Sequence, residues 1–111
     1  MNGLACTTIE QGNGLVLKLQ GQFTHAELGD FDAQLANIVK RKPSLVVVDM
    51  ADVSMLSSAG IGALLKLQQT ARAFNCDLRL AALQRNIETL LRAARLDSVF
   101  TILPTLSDAV H

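Results

Sequence analysis

The chain has 111 residues, half of them hydrophobic, which is enough for one well-filled core in one domain. Ten Lys and Arg balance ten Asp and Glu, so there is no net positive field to select nucleic acid or an anionic membrane as partner. There is no Trp or Tyr and only four Phe, which leaves no platform for stacking bases, and no apolar run approaches the roughly 20 residues of a membrane span.

Residues 5–10 and 14–20 read as the two strands of a hairpin. In the second, Leu15, Leu17 and Leu19 alternate with Val16, Lys18 and Gln20, the period of a half-buried strand. "QGNG" between them is turn chemistry, because Gly and Asn tolerate positive φ. "THAE" then opens a helix, with Thr24 as cap and Glu27 completing a capping box. Leu28, Phe31, Leu35 and Ile38 follow at helical spacing. Lys40, Arg41 and Lys42 complement the negative end of that helix before Pro43 stops it. "SLVVVDM" is a continuous apolar run that suits a central strand covered on both faces, with Val46–Val48 its most buried part.

A short loop is expected next, and "MLSSAGIGALL" opens a helix that runs to about Asn75. Leu64, Leu67, Ala71 and Phe74 mark its inner face. "DLRLAAL" is a further strand, and "RNIETLLRAARL" a helix with Ile87, Leu90, Leu91 and Ala94 turned inward. "VFTIL" gives a last short strand, and "TLSDAVH" a terminal helical turn capped by Thr105. Strands alternating with helices predict an α/β fold, a mixed and mostly parallel sheet with right-handed crossovers and helices packed largely on one face.

The catalytic options are poor. His25 and His111 are the only histidines, and neither stands in a Cys or carboxylate cluster at metal-ligand spacing. Ser58, His25 and Asp49 make a triad on paper, yet "SSAGIG" is not the nucleophile elbow of a hydrolase. "GIG" lacks the spacing and the lysine of a phosphate loop. Asp49 and Asp52 read as turn-forming residues rather than magnesium ligands. Cys6 and Cys76 form no CxxC pair and read as thiols in a reducing cytosol. "MNGLAC" lacks the basic and apolar stretches of an export leader, so a cytoplasmic location is expected. The chain reads as a non-enzymatic protein that needs no cofactor or metal.

The serine pair raises a different question. Ser57 or Ser58 can cap the helix, which explains one hydroxyl. Gly60 and Gly62 follow at once, although glycine within a helix costs about 1 kcal/mol relative to alanine. Without Cβ atoms the first turn can approach a strand, or a partner's backbone, closely. The helix start would tolerate a phosphate, and the charge would fall on a rim of Met55, Leu56 and Ile61. The stretch therefore reads as a binding surface with a built-in charge switch.

"LVVVDMADVSMLSSAGIGALLKLQQTAR" resembles the core motif of STAS domains, the family of sulfate transporter domains and anti-sigma factor antagonists. In that family a hydrophobic strand ends in Asp, and a loop of the type D-x-S-x-x-D-S-S/T-G-x-G opens a helix. Asp52 and Ser54 match the early positions, Ser58 the phosphoacceptor serine, and Gly60 and Gly62 the glycines. "LQGQFTHAEL" and "LDSVFTILPTLSDAV" are similar to the family's flanking segments, so the likeness spans about residues 14 to 110 of one STAS domain over 1–111. Ser57 stands where the family usually has Asp, and Ala59 where it usually has Ser or Thr.

The resemblance implies a bacterial anti-sigma factor antagonist, a phosphoprotein of partner switching. Unphosphorylated, such a protein binds an anti-sigma factor that is also a serine kinase. Phosphorylation of Ser58, with Ser57 as second candidate, releases it, and a serine phosphatase restores it. ATP and magnesium belong to the kinase. Thr24, His25, Asp52, Met55, Ser57, Ser58, Gly60, Ile61 and Gly62 are the expected partner-binding residues, on a monomer. Other single-domain relatives imply an alternative, a constitutive accessory subunit of a lipid-transport ATPase complex.

Overall fold

A computed structural model describes residues 4–11, 14–23 and 28–110. The proposed turn residues Gly12 and Asn13, and the capping box of Thr24 and Glu27, lie outside them. The alternating leucines fall in β2 (Gly14–Phe23), and the valine run falls in β3 (Leu45–Leu56). β2 pairs antiparallel with β1 (Leu4–Gln11) and parallel with β3. β4 (Asp77–Ala81) and β5 (Thr101–Leu103) extend the parallel part. The strand order in the sheet is the order in the chain.

That order decides where the helices go. α1 (Leu28–Arg41), α2 (Ser58–Ala73) and α3 (Arg85–Ala93) each connect parallel neighbours and each step the same way across the sheet. Right-handed crossovers that advance in one direction put all three helices on one face. Phe31, Leu35 and Ile38 of α1, Leu64 and Leu67 of α2, and Ile87 and Leu91 of α3 accordingly share one core with Leu15, Leu17, Leu19, Val46, Val48 and Leu80. The short α4 (Leu106–Val110) turns back and covers the other face, where Ala109 meets Val16, Val47 and Ala81. With both faces covered, Val46, Val47 and Val48 are 0%, 1% and 0% exposed, as the unbroken apolar run predicts. Thr105 does cap α4, accepting the Asp108 N–H at 3.1 Å.

Three details depart from expectation. α3 stops at Ala93, and Arg95 then takes a left-handed conformation at φ 61° that leads into a short 3-10 turn, Leu96–Ser98. The helix buries a narrow Ile87–Leu91 seam, so Leu90 is 37% exposed and Ala94 faces solvent. α2 ends at Ala73, and Phe74 is its half-buried cap, still packed on the core.

The largest departure is β3. The expected loop after Met50 is strand, continuing to Leu56 beside β2. Its register slips twice, because Lys18 and Gln20 face Asp49 and Asp52, and Gly21 and Gln22 face Val53 and Met55. Each slip inserts one extra residue on the β3 side, as a β-bulge does. The Asp49 carboxylate, only 7% exposed, accepts the Ala51 N–H at 3.1 Å at the first slip. Gly21 lies opposite the second with φ 110°, a backbone conformation that favours glycine. The buried positions therefore run Met50, Val53 and Leu56, three apart, with exposed pairs Ala51–Asp52 and Ser54–Met55 between them.

Candidate functional site

The site grows from the point where β3 hands over to α2. Ser57 has extended backbone angles and donates its N–H to the Phe23 carbonyl at 3.0 Å. Its hydroxyl accepts the Gly60 N–H at 3.2 Å and donates to the same Phe23 carbonyl at 3.4 Å. Ser57 is thus the N-cap, and its one hydroxyl ties the helix start to the end of β2. Ser58 is the first helical residue and is exposed. Among the described residues nothing hydrogen-bonds to its hydroxyl. The first turn of α2 carries no acidic side chain, so the positive end of the helix dipole is left uncompensated by the helix itself.

The two glycines separate cleanly. A Cβ on Gly60 would stand 2.6 Å from the Phe23 carbonyl oxygen and 2.7 Å from Leu56 Cδ1. Gly60 is buried, and its missing side chain is what lets α2 sit down on β2. Gly62 is exposed, and an added Cβ there meets nothing within 4 Å. No contact within the described chain requires glycine at position 62.

The structure gathers Met55, Ser57, Ser58, Gly60, Ile61 and Gly62 at one rim. Met55 is 49% exposed, an apolar side chain standing in solvent beside the helix start. Ile61 is half buried against the core, so with Gly60 it supports the rim from below. Asp52 is set back along β3, opposite Gln20, and five residues of strand at about 3.3 Å each separate it from Ser57. Its exposed carboxylate accepts from Gln20 Nε2 at 3.3 Å and faces Lys18 Nζ at 3.8 Å. Thr24 and His25 lie outside the described residues.

Two residues that sequence reasoning missed also reach this region. Gln84 Nε2 donates to the Ala51 carbonyl at 2.9 Å, and Asn86 Nδ2 donates to the Ser54 carbonyl at 3.1 Å. Gln84 occupies the N-cap position of α3 and makes no capping bond to its own helix. A polar residue at a helix start signals a cap, and nothing in "LQRNIE" links it to a strand 33 residues earlier.

A family model described as STAS domain matches residues 6–109. Solved structures share the fold at low identity. An anti-sigma factor antagonist from Mycobacterium paratuberculosis superposes with a TM-score of 0.87 at 19% identity, covering 96% of this chain and 91% of that one. The Bacillus cell fate determinant SpoIIAA in its phosphorylated form gives 0.73 at 15% identity, covering 96% of each chain. RsbS from Moorella thermoacetica gives 0.81 at 12% identity, covering 95% and 91%. SpoIIAA is also known in an unphosphorylated form as an anti-sigma factor antagonist. Among the described residues, no helix is long and apolar enough to cross a membrane.

Proposed function

The chain belongs to the STAS domain family, and on that premise we propose that it is an anti-sigma factor antagonist of a partner-switching pathway, with Ser58 as its phosphoacceptor. Unphosphorylated, it binds an anti-sigma factor that is also a serine kinase. Phosphorylation breaks the complex and a serine phosphatase restores it. The observation that carries this reading is the division of labour between the two serines. Ser57 does the structural work of capping, while Ser58 stands exposed beside the solvent-facing Met55.

The physics of the switch follows from that division. A phosphate on Ser58 adds up to two negative charges at a helix N-terminus, which favours them by roughly 0.3–1 kcal/mol. The fold therefore accepts the modification. The cost falls on the complex, where a charge forced into a partly apolar contact is penalised by several kcal/mol. Ser57 is the poorer acceptor, because a phosphate ester there would lose the proton that its half-buried hydroxyl donates to the Phe23 carbonyl. The likeness to SpoIIAA, a relative with phosphorylated and unphosphorylated forms, supports the same reading.

The test is an affinity capture from the native cell with wild type, Ser58→Asp, Ser58→Ala and Met55→Lys, with and without phosphatase treatment. The expected result is a serine kinase retained by wild type and Ser58→Ala, and lost by Ser58→Asp and Met55→Lys at unchanged melting temperature. The captured kinase should place phosphate on Ser58 when given ATP and magnesium. Equal retention of one partner by wild type and Ser58→Asp would overturn the switch, and a transport ATPase as that partner would establish the constitutive-assembly alternative.

A further inference from the structure

The far end of β3 is held by less than a strand normally requires. β4 pairs with β3 only as far as Asp49 opposite Ala81. From Met50 to Leu56, β2 supplies the ladder on one edge, and among the described residues no strand lies on the other. This is also where both extra residues are inserted, so the ladder that remains is interrupted twice. Backbone carbonyls on such an edge are left to water unless a side chain takes them.

Two side chains take them, one for each bulge. Ala51 and Ser54 are the first residues of the two exposed pairs, and their carbonyls receive the amides of Gln84 and Asn86. The three-residue spacing on β3 is matched by a two-residue spacing at the start of α3. Ala82 makes the reach possible, since its left-handed conformation at φ 60° ends β4 and turns the connection back over β3. Alanine enters that conformation at a cost. Gln84 meanwhile leaves its own helix without a side-chain cap. Both features make sense as parts of a clasp on β3.

We propose that Gln84 and Asn86 are positioning residues of the partner-binding rim, holding the bulged end of β3 so that Met55 and the Ser57–Ser58 helix start are presented in one geometry. The proposal rests on the reading of that rim as the docking surface. Met55 follows the Asn86-bound Ser54 directly, and Ser57 lies three residues beyond it. Both clasp bonds are in solvent reach, so water replaces them with little loss of global stability. Their effect is on local opening of residues 51–57, which is set by the bonds of that segment rather than by the core.

The experiment uses the full chain with Gln84→Glu plus Asn86→Asp, which keep size and shape but remove the donors. Gln84→Ala plus Asn86→Ala serves as a control for added charge. Amide hydrogen exchange of the free protein is measured first. Exchange at Val53 to Ser57 should accelerate about tenfold in both double variants, with the melting temperature nearly unchanged and exchange in β4 unaffected. Affinity for the kinase captured by the wild-type chain should then weaken about three- to tenfold in both, the range expected for losing hydrogen bonds at a site. Unchanged exchange at Val53 to Ser57 would overturn the clasp. Faster exchange with unchanged affinity, while Ser58→Asp still releases the kinase, would overturn the positioning role and leave the switch standing. A kinase indifferent to Ser58→Asp would defeat the switch itself, a failure visible in a different variant.

Discussion

Alanine at Gly60 and at Gly62 should move stability in opposite directions, although the residues are two apart in one helix. At Gly62 the added methyl meets no atom within 4 Å, and only the backbone effect remains. Replacing glycine by alanine within a helix gains up to about 1 kcal/mol. For 111 residues that raises the melting temperature by roughly 4 °C. At Gly60 the same methyl lands 2.6 Å from the Phe23 carbonyl oxygen and 2.7 Å from Leu56 Cδ1. Leu56 has rotamers to try, but the Phe23 carbonyl is fixed by the Ser57 N–H. Relief requires α2 to lift off β2, which stretches the cap. Overpacking of this kind costs about 1–3 kcal/mol, and the propensity gain returns up to about 1 of that. Because the clash is with a fixed backbone oxygen the upper part of that range applies, about 2–3 kcal/mol, and the net expectation is a loss of about 1–2 kcal/mol, or roughly 4–9 °C. Urea titration of both variants measures this directly, with the midpoint moving and the slope constant. Gly60→Ala as stable as wild type, or Gly62→Ala less stable, would refute the packing argument. The same samples test the rim. If Gly62 is kept for the close approach of a partner, Gly62→Ala binds the kinase more weakly while being the more stable protein.

The remaining expectations are simpler. Ser57→Ala should lose about 1 kcal/mol with the cap, whereas Ser58→Ala should stay within about 0.5 kcal/mol of wild type, as thermal melts would show. Val53→Ala should cost about 2 kcal/mol, because Val53 is fully buried in the bulged strand; a loop residue there would cost almost nothing. Burial pushes the Cys76 thiol pKa above 9.0, with the neighbouring Asp77 adding to the effect. The fold thus favours the neutral thiol, so this contribution is complete below the ordinary thiol value and is lost as pH rises through the raised one. Stability should fall above about pH 9, less steeply in Cys76→Ala, and a thiol reagent at pH 8 should reach Cys76 only after denaturation.

Much of the molecule is legible in the residues because single-period patterns survive folding. Leu15, Leu17 and Leu19 announce a strand, and Leu64, Leu67 and Ala71 a helix face, since each repeats at the period of its element. The valine run is buried on both faces because α4 returns to cover the side the other helices leave open. The serines and glycines stand out because a helix start with two glycines contradicts helix propensity. Which serine caps, and which glycine packs, is a matter of ångströms at Phe23, and no pattern in the sequence encodes that distance. Leu90 and Ala94 fail for a related reason. Only the narrow Ile87–Leu91 seam of α3 meets the core, so Leu90 stands beside it in solvent, and Ala94 falls on the cap after the helix has ended at Ala93.

The end of β3 shows why a site can hide from pattern reading and still be built by it. Two bulges convert the strand's period of two into a period of three, so Met50, Val53 and Leu56 point inward while exposed pairs, Ala51–Asp52 and Ser54–Met55, fill the gaps. Read linearly, "MADVSML" has the mixed polarity of a loop. A loop would need no partner strand and would place nothing reliably. A bulged strand keeps the ladder to β2, turns Met55 outward, and delivers Ser57 to the Phe23 carbonyl, from which the first turn of α2 starts. The irregularity therefore aims the rim. An unbroken strand of the same length would alternate sides at every residue and could not bury Val53 and Leu56 on the same face with Asp52 and Met55 both left outside. The exposed Met55 and the exposed Ser58 come within three residues of each other because the strand breaks its own period on the way to the helix.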